Sequence, residues 1–303
     1  LFSCFLIAQT AEERDKMLKT YDLEKVNNLI EELKLGEIEK EQILDEYVAS
    51  NPDVRREYYE NGKHYILYNI QENKPVYIST YNDKSAIATK TASITPGGEL
   101  GLDLEGEGLT VGVWEIDYPL TTHQEFINSD GTSRILIPDT TEVQPEYDYH
   151  ATHVNGTVGA NGNNGSAKGM APKSSIVAYN ATNHKSETPN EHLSSGMLVS
   201  NHSYGTVSGW DYNKDSSRWE FGGKWNEKED FKFGLYNQTA QTYDSISYNA
   251  PYYLIVKSAG NNRSNTGPAV GQPYWRRDEN GKLYNAGNRP DSLSSNNSFD
   301  ILP

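Results

Sequence analysis

The sequence contains only one cysteine among its 303 residues, and this residue, Cys4, lies in the apolar opening LFSCFLIAQT. A single cysteine cannot form an internal disulfide, so a small scaffold held together by disulfides is excluded. The fold must therefore be stabilised by packing or by bound ions. At this length the chain can bury one large core and carry a smaller segment beside it.

Basic residues are also in short supply, because 27 lysines and arginines stand against 42 aspartates and glutamates, which gives a formal net charge of −15. A chain this acidic repels a phosphate backbone unless it carries a local basic patch, and the sequence shows no basic run. Nucleic acid is therefore not expected as a partner.

Long apolar runs are missing after the first ten residues, so no membrane span is predicted and the mature protein is expected to be soluble. The opening itself, an apolar run followed by AQTAEER, is typical of the end of a secretory signal. We therefore expect residues 1–10 to be a signal-peptide remnant and the mature chain to begin near Thr10 or Ala11. The alternative is an apolar chain end without a targeting role.

Residues 11–50 are rich in Glu, Lys and Leu, and their apolar positions recur at helical spacing. This pattern predicts two amphipathic helices with a break at Gly36. The runs HYILYNI and PVYISTY flank QENK, which predicts a β-hairpin. With the low-complexity stretch SAIATKTAS as a linker, residues 11–92 form a small α+β segment, interpreted either as a propeptide or as a separate interaction module.

From Gly101 onward, short apolar runs that end in polar residues alternate with more helical stretches. Residues 93–303 are therefore predicted to form an α/β domain, with a mostly parallel sheet and helices on both faces. Ligands bind beyond the carboxyl ends of the strands in such sheets. The predicted strand ends carry polar residues that should converge on one rim: Glu115, Asn201, Ser203 and Asn261.

The block HATHVNGT at residues 150–157 places two histidines three residues apart, ahead of a glycine. Taken alone, it allows three interpretations: metal ligands, a catalytic base with a packed neighbour, or two ordinary surface histidines. The spacing permits a zinc site and hence a metallohydrolase, but the H-E-x-x-H pattern with its own glutamate base is absent.

Five blocks occur in this order along the chain: VGVWEIDYPLTTHQEF, DYHATHVNGTVGANG, AKGMAPKSSIVAYN, SNHSYG and LIVKSAGNN. Their order and spacing resemble the catalytic domain of the subtilisin-like serine proteases, the subtilases, over residues 97–303. The sequences of these blocks are most similar to those of secreted members from Bacteroidetes-type bacteria. The resemblance implies a subtilisin-like fold and a bacterial endopeptidase, secreted or at the cell surface, that hydrolyses protein or peptide substrates by acyl transfer. No cofactor is required for that chemistry.

The resemblance also implies roles for individual residues. His150 takes the place of the general base, and His153 that of a packed neighbour. Asn261 takes the place of the oxyanion asparagine, which donates to the charge that develops on the scissile carbonyl. Ser203 and Gly205 match the segment whose backbone pairs with an extended substrate.

The acid block departs from the family pattern, because the strand TVGVW runs into Glu115, Ile116 and Asp117. Glu115 occupies the place of the catalytic aspartate, and Asp117 is the alternative if the loop shifts by two residues. Either carboxylate would hold the Nδ1–H of His150. A degraded acid would instead leave a noncatalytic pseudoprotease that uses the same fold to bind peptides.

The serine nucleophile does not occur where the resemblance requires it. In the family a G-T-S-x-A-x-P motif follows the A-G-N segment, and no such motif occurs before Pro303. The GTS at residues 131–133 precedes His150, against the order acid, histidine, serine, so Ser133 is predicted to be a turn residue. We therefore expect the sequence to be a fragment, incomplete at both ends and inactive on its own.

Structural calcium is a further implication of the resemblance. Asp211, Asn213 and Asp215 alternate as in a calcium loop. Ser216 and Gly222 stand where that loop needs glycine and glutamate, so calcium is not predicted at this position.

Overall fold

The computed structural model describes residues 11–60, 63–71, 73–80, 89, 91–96, 100–142, 145–163, 167–213, 216–261 and 265–296. The predicted signal-peptide remnant lies outside these residues, as do most of the SAIATKTAS linker and Asp215. The chain divides into two compact units. The first unit contains residues 1–34, 82–203 and 244–257, and the second contains residues 35–81, 204–243 and 258–303.

The helices and strands are numbered in chain order. The helices are α1 (Ala11–Leu18), α2 (Leu23–Ser50), α3 (Tyr149–Gly159), α4 (His184–Ser195) and α5 (Gln238–Asn249). The strands are β1 (Glu57–Glu60), β2 (Lys63–Gln71), β3 (Lys74–Thr80), β4 (Thr110–Glu115), β5 (Ile135–Leu136), β6 (Ser175–Asn180), β7 (Val199–His202), β8 (Tyr204–Thr206), β9 (Trp210–Asn213), β10 (Arg218–Phe221), β11 (Leu254–Lys257), β12 (Pro273–Arg277) and β13 (Leu283–Asn288). None of the helices described has both the length and the apolar character needed to cross a membrane.

A five-stranded sheet organises the first unit, with the strand order β11-β7-β4-β6-β5. All of its strand pairs are parallel. Parallel neighbours require crossover connections, and α3 and α4 lie in two of them, between β5 and β6 and between β6 and β7. The predicted α/β class with a mostly parallel sheet is therefore confirmed.

The core of the first unit forms where α3 packs against this sheet. Val113 of β4, Ile176 of β6 and Val154 of α3 belong to one buried apolar cluster. The last four residues of β4 are all buried, so this strand is an apolar run and does not alternate between apolar and polar positions. Its final residue, Glu115, is nevertheless charged, which marks the carboxyl end of β4 as unusual.

The second unit contains two four-stranded sheets, with the orders β1-β2-β3-β8 and β13-β12-β10-β9. The predicted hairpin is present, since β2 and β3 pair antiparallel around a turn in which Asn73 has a positive φ of 58°. β3 also pairs antiparallel with β8, and Ser79 lies opposite Gly205. The other sheet encloses a core around Trp210, which is fully buried.

The predicted helix break at Gly36 is wrong. α2 runs without interruption from Leu23 to Ser50, and the chain instead breaks near Tyr21, between α1 and α2. A glycine inside a helix costs about 1 kcal/mol relative to alanine. Burial of a leucine such as Leu44, which is 1% exposed, contributes about 1.5–3 kcal/mol and outweighs that cost.

Gly112 lies at the most crowded point of the central strand. A Cβ atom there would lie 2.4 Å from Sδ of Met197 and 2.5 Å from the ring of Trp114. By contrast, a Cβ atom at Gly36 would meet nothing within 4 Å.

These two glycines form a matched pair for a stability experiment. We expect Gly112→Ala to lower the free energy of unfolding by about 1–3 kcal/mol, because the added methyl group overpacks the core. Gly36→Ala should raise it by about 0.5–1 kcal/mol, because alanine loses less backbone entropy in a helix. Urea unfolding of both variants measures the change in the free energy of unfolding. An equal change at the two positions would contradict the close packing around Gly112 and the open space at Gly36.

Candidate active site

Glu115 and His150 meet because a strand ends where a helix begins. Glu115 is the last residue of β4 and is 1% exposed. His150 is the second residue of α3, and its backbone N–H donates to the side chain of Asp148, the N-cap, over 2.6 Å. This cap satisfies one of the free N–H groups of the first helical turn and fixes the start of α3.

The imidazole of His150 contacts the carboxylate directly. Its Nδ1 atom lies 3.1 Å from Oε2 of Glu115. A carboxylate only accepts hydrogen bonds, so this contact places the proton on Nδ1 and leaves the lone pair of a neutral ring on Nε2. The Nε2 atom is buried and has no hydrogen-bond partner among the described residues. The arrangement therefore holds a base with its accepting nitrogen unoccupied.

Burial raises the pKa of Glu115, because a charged carboxylate is poorly solvated in the protein interior. Three neighbours oppose this rise: the hydrogen bond from His150, the positive charge of Lys257 and the backbone of Ser203. Each of these favours the ionised form, which is the form that can orient His150.

Lys257 was not singled out by the sequence analysis. It ends β11, and the parallel register aligns it with His202 of β7, which is aligned in turn with Trp114 of β4. Lys257 therefore lies at the same end of the sheet as Glu115. Burial lowers the pKa of Lys257 to about 7, while the charge of Glu115 acts to raise it. A lysine that closes the apolar run YYLIV was the available signal in the sequence.

A stack of rings holds these strand ends in place. The ring of Trp114 is stacked between Tyr179 of β6, at 4.7 Å, and His202 of β7, at 5.1 Å. α4 anchors two of the rings, because the Trp114 indole donates to Glu187 over 3.0 Å and the Tyr179 hydroxyl donates to Glu191 over 2.6 Å. The strand that carries Glu115 is therefore fixed on both sides immediately before the site.

Two further histidines, His184 and His202, are buried in the first unit, and burial favours their neutral form. Burial lowers the pKa of His202 and of His184, and repulsion by Lys257 adds to the effect at both residues. His202 Nε2 lies 2.9 Å from the hydroxyl of Ser200, which also accepts a hydrogen bond from Tyr253. Because His202 is fully buried, this serine–histidine contact belongs to the core.

The other predicted carboxylate, Asp117, is half-buried and lies two residues beyond the end of β4. Ser203 follows β7 directly and is 8% exposed, and its hydroxyl accepts a hydrogen bond from Asn201. The structure thus brings together Glu115, His150 and Ser203 within the first unit.

Two predicted residues belong to the second unit. Gly205 lies in β8, and β3 pairs with one edge of this strand. Asn261 is exposed and follows Gly260, whose φ is 94°. The prediction that His153 is a packed neighbour is wrong, because this side chain is exposed on α3. Successive helical residues are 100° apart, so His153 projects about 60° away from the direction of His150.

Ser133, predicted to be a turn residue, follows a tight turn at Gly131, whose N–H donates to the carbonyl of Asn128. Its hydroxyl donates to the carbonyl of Thr121 and accepts from the N–H of Ile135. Ser133 therefore supports the loop before β5.

Acidic, histidine and cysteine side chains are the usual metal ligands in proteins. Within the described parts of the chain, no group of three or more such residues could hold a metal ion. In the candidate calcium loop, the Asn213 side-chain oxygen accepts a hydrogen bond from the N–H of Ser216, and Asp215 lies outside the described residues.

The family model of the subtilases, described as "Subtilase family", matches residues 42–288, a span that includes Glu115, His150, Ser203, Gly205 and Asn261. This chain belongs to the subtilase family. The resemblance predicted from the sequence blocks is therefore confirmed at the level of the family, and the narrower assignment to Bacteroidetes-type members stays a prediction.

Several solved structures are similar to this subtilase. They include the CspB protease of Clostridium perfringens (21% identity, TM-score 0.41, 62% of this chain and 44% of that chain). Fervidolysin from Fervidobacterium pennivorans, described as a keratinolytic enzyme related to subtilisin, shows 17% identity and a TM-score of 0.35 over 66% of this chain and 29% of its own. MycP1 with its N-terminal propeptide removed shows 18% identity and a TM-score of 0.29 over 56% of this chain and 48% of its own. The subtilase chain thus spans less than half of each of these proteins. Comparison with curated protein sequences finds no significant match.

In this subtilase, Lys257 should set the ionisation of Glu115. We expect Lys257→Met to raise the pH at which Glu115 ionises, because the variant removes a positive charge that favours the carboxylate. Lys257→Arg should keep the wild-type midpoint. Carboxyl ¹³C NMR titration of Glu115 in the 303-residue chain measures both.

The matched control for that titration is Lys173→Met, which removes a lysine that pairs with Glu105 and Glu107. It should leave the midpoint of Glu115 unchanged. An unaltered midpoint in Lys257→Met would show that Lys257 does not act on the acid.

Proposed function

We propose that this subtilase is a serine endopeptidase that cleaves protein or peptide substrates by acyl transfer. His150 is the general base, Glu115 is its orienting acid and Asn261 is the oxyanion donor. Ser203 and Gly205 present backbone groups to an extended substrate. The G-T-S-x-A-x-P motif of the family does not occur in the 303 residues, so we assign the nucleophilic serine to none of them.

One observation supports this proposal above the others: His150 Nδ1 lies 3.1 Å from Glu115 Oε2, and Nε2 has no hydrogen-bond partner among the described residues. A general base must offer its accepting nitrogen to the nucleophile while a carboxylate holds the opposite nitrogen. Glu115 is the better candidate for that carboxylate than Asp117, because Glu115 makes this contact at the end of β4. The extra methylene of glutamate is accommodated within hydrogen-bonding distance.

The proposed mechanism assigns one step to each of these residues. Nε2 of His150 accepts the proton of the serine hydroxyl as the serine attacks the scissile carbonyl. Glu115 stabilises the resulting imidazolium across the Nδ1 contact. Asn261 donates to the negative charge on the carbonyl oxygen, and loss of such a donor typically costs about 2.7–4 kcal/mol of barrier. The imidazolium then returns the proton to the leaving amine.

We also propose where the enzyme acts and which cofactors it needs. We place the mature enzyme outside a bacterial cell, secreted or at its surface, on the basis of the apolar opening at residues 1–10. The chemistry needs no cofactor, because the proposed base, acid and oxyanion donor are all side chains. Structural calcium remains part of the proposal only through family membership.

We further propose that residues 11–92 are a propeptide that blocks the substrate edge. The support is the pairing of β3 with β8, in which Ser79 lies opposite Gly205. β8 is the strand proposed to pair with substrate, and a strand edge can pair with only one partner at a time. While β3 is in place, that edge is closed to substrate.

A fluorophosphonate probe tests the catalytic proposal on a protein extended past Pro303. We expect the serine to be labelled in the wild type and labelling to be lost in His150→Ala. Glu115→Gln should reduce kcat by about 10⁴, because a neutral amide does not hold the required tautomer. Asp117→Asn is the matched control and should retain most activity.

Three outcomes would contradict the catalytic proposal in different ways. Absence of labelling in a folded, processed protein would favour a noncatalytic peptide-binding role. Loss of activity in Asp117→Asn with retention in Glu115→Gln would assign the acid to Asp117. Loss of activity on chelation, without fluorophosphonate labelling, would point to a metallohydrolase.

The propeptide proposal predicts inhibition in trans. Purified residues 11–92 should inhibit the processed enzyme in competition with a peptide substrate. Ser79→Pro in that segment should weaken inhibition, because β3 is paired on both edges and proline disrupts such a strand. Leu35→Lys, at an exposed position on α2, is the control and should inhibit like the wild type. Noncompetitive inhibition, or none, would contradict the proposal.

A further inference from the structure

Lys74, the first residue of β3, is buried in a region of like charge. It is 8% exposed, and its Nζ atom has no hydrogen-bond partner among the described residues. Burial lowers the pKa of Lys74, and the positive charges of Arg276, Lys232 and Lys224 lower it further. A buried ammonium group without a partner is strongly unfavourable, so a negative charge at this position would stabilise the fold.

The start of β3 lies against the turn that follows β12, because a Cβ atom at Gly281 would lie 3.7 Å from the carbonyl oxygen of Asn73. Arg276 of β12 is one of the cations that lower the pKa of Lys74. It is 6% exposed, and its Nη2 atom donates to the carbonyl groups of Lys224 and Glu227. Its guanidinium carbon lies 5.2 Å from the ring centroid of Phe221. The guanidinium is thereby fixed, yet its Nε–H is buried and has no partner among the described residues. Lys74 and Arg276 thus each hold an unused donor in the same region.

The two remaining lysines flank one aromatic ring, since Nζ of Lys224 and Nζ of Lys232 lie 4.8 Å and 5.0 Å from the centroid of Phe231. Both already pair with carboxylates, Lys232 with Asp230 at 2.9 Å and Lys224 with Glu227 at 3.4 Å. Their side chains are 13% and 24% exposed, so they lie closer to solvent than Lys74. The region thus contains four cationic side chains, those of Lys74, Arg276, Lys224 and Lys232, and two carboxylates that pair with them. Positive charge is therefore in excess in this region, although the whole chain is acidic.

We propose that the buried ends of Lys74 and Arg276 form a binding site for a small oxyanion, of the chemical class of inorganic phosphate or a carboxylate. Such an anion offers a separate acceptor oxygen to each of the two donors and neutralises the excess charge. Charge-assisted hydrogen bonds of this kind are the stronger class, and arginine is well suited to oxyanions. Lys224 and Lys232 add positive charge near these two donors.

Bound oxyanion would link the β2–β3 hairpin to the sheet that contains β10 and β12. All four cations belong to the second unit, so the site is complete within that unit. An anion that binds only this folded arrangement stabilises it in proportion to its occupancy.

Thermal unfolding of the 303-residue chain in sodium phosphate tests the proposal, with ionic strength held constant by sodium chloride. We expect Tm to rise and saturate, by about 3 °C at ten times the dissociation constant. Lys74→Met should abolish this rise and should have a higher Tm than the wild type without phosphate, because it removes the buried charge. Lys74→Arg keeps the charge and should keep the response. Lys228→Met, at an exposed position, should respond like the wild type.

A second measurement distinguishes loss of phosphate binding from misfolding of the variant. Phosphate ³¹P line broadening should occur with the wild type and disappear with Lys74→Met, while circular dichroism confirms that the variant is folded. An equal phosphate response in the wild type and in folded Lys74→Met would overturn the proposal. A wild type that responds equally to chloride, or not at all, would also overturn it and would mean that Lys74 is buried as a neutral amine.

Discussion

The hydrogen bond between Glu115 and His150 depends on a property of parallel sheets, which is that all strands end at the same edge. β4 delivers Glu115 to this edge. β5 runs parallel to β4 and ends at the same edge, and α3 begins after β5, capped by Asp148. Both side chains are nearly buried, and the contact therefore forms where water does not compete for the carboxylate. Had β4 ended one residue earlier or later, the carboxylate would have faced the other side of the sheet.

Burial makes this contact strong and also makes it difficult to maintain. The interior that strengthens the hydrogen bond raises the pKa of Glu115 and so favours its neutral form. Lys257 supplies the opposing charge, while burial keeps His184 and His202 neutral. The hydrogen-bonded pair thus lies close to aromatic and imidazole rings, and the ring stack on Trp114 fixes the strand that carries Glu115.

The β2–β3 hairpin is folded together with later strands of the second unit. β3 completes a sheet with β8, and Lys74 at the start of β3 completes a cluster of cations with Arg276. If residues 11–92 are a propeptide, their removal would open the edge of β8 and remove Lys74 from that cluster in one event. Occupation of the proposed oxyanion site would then favour the form that still contains the segment.

The sequence by itself determined the parallel α/β class, the β2–β3 hairpin and the family, because runs of apolar residues and short motifs are local and can be read along the chain. It placed Glu115 and His150 at candidate positions but left Asp117 as the alternative acid. Only the tertiary structure decided that Glu115 contacts His150, that Lys257 acts on that acid, that His153 is exposed and that α2 continues through Gly36. Each of these depends on packing between residues far apart in sequence, which no local pattern encodes.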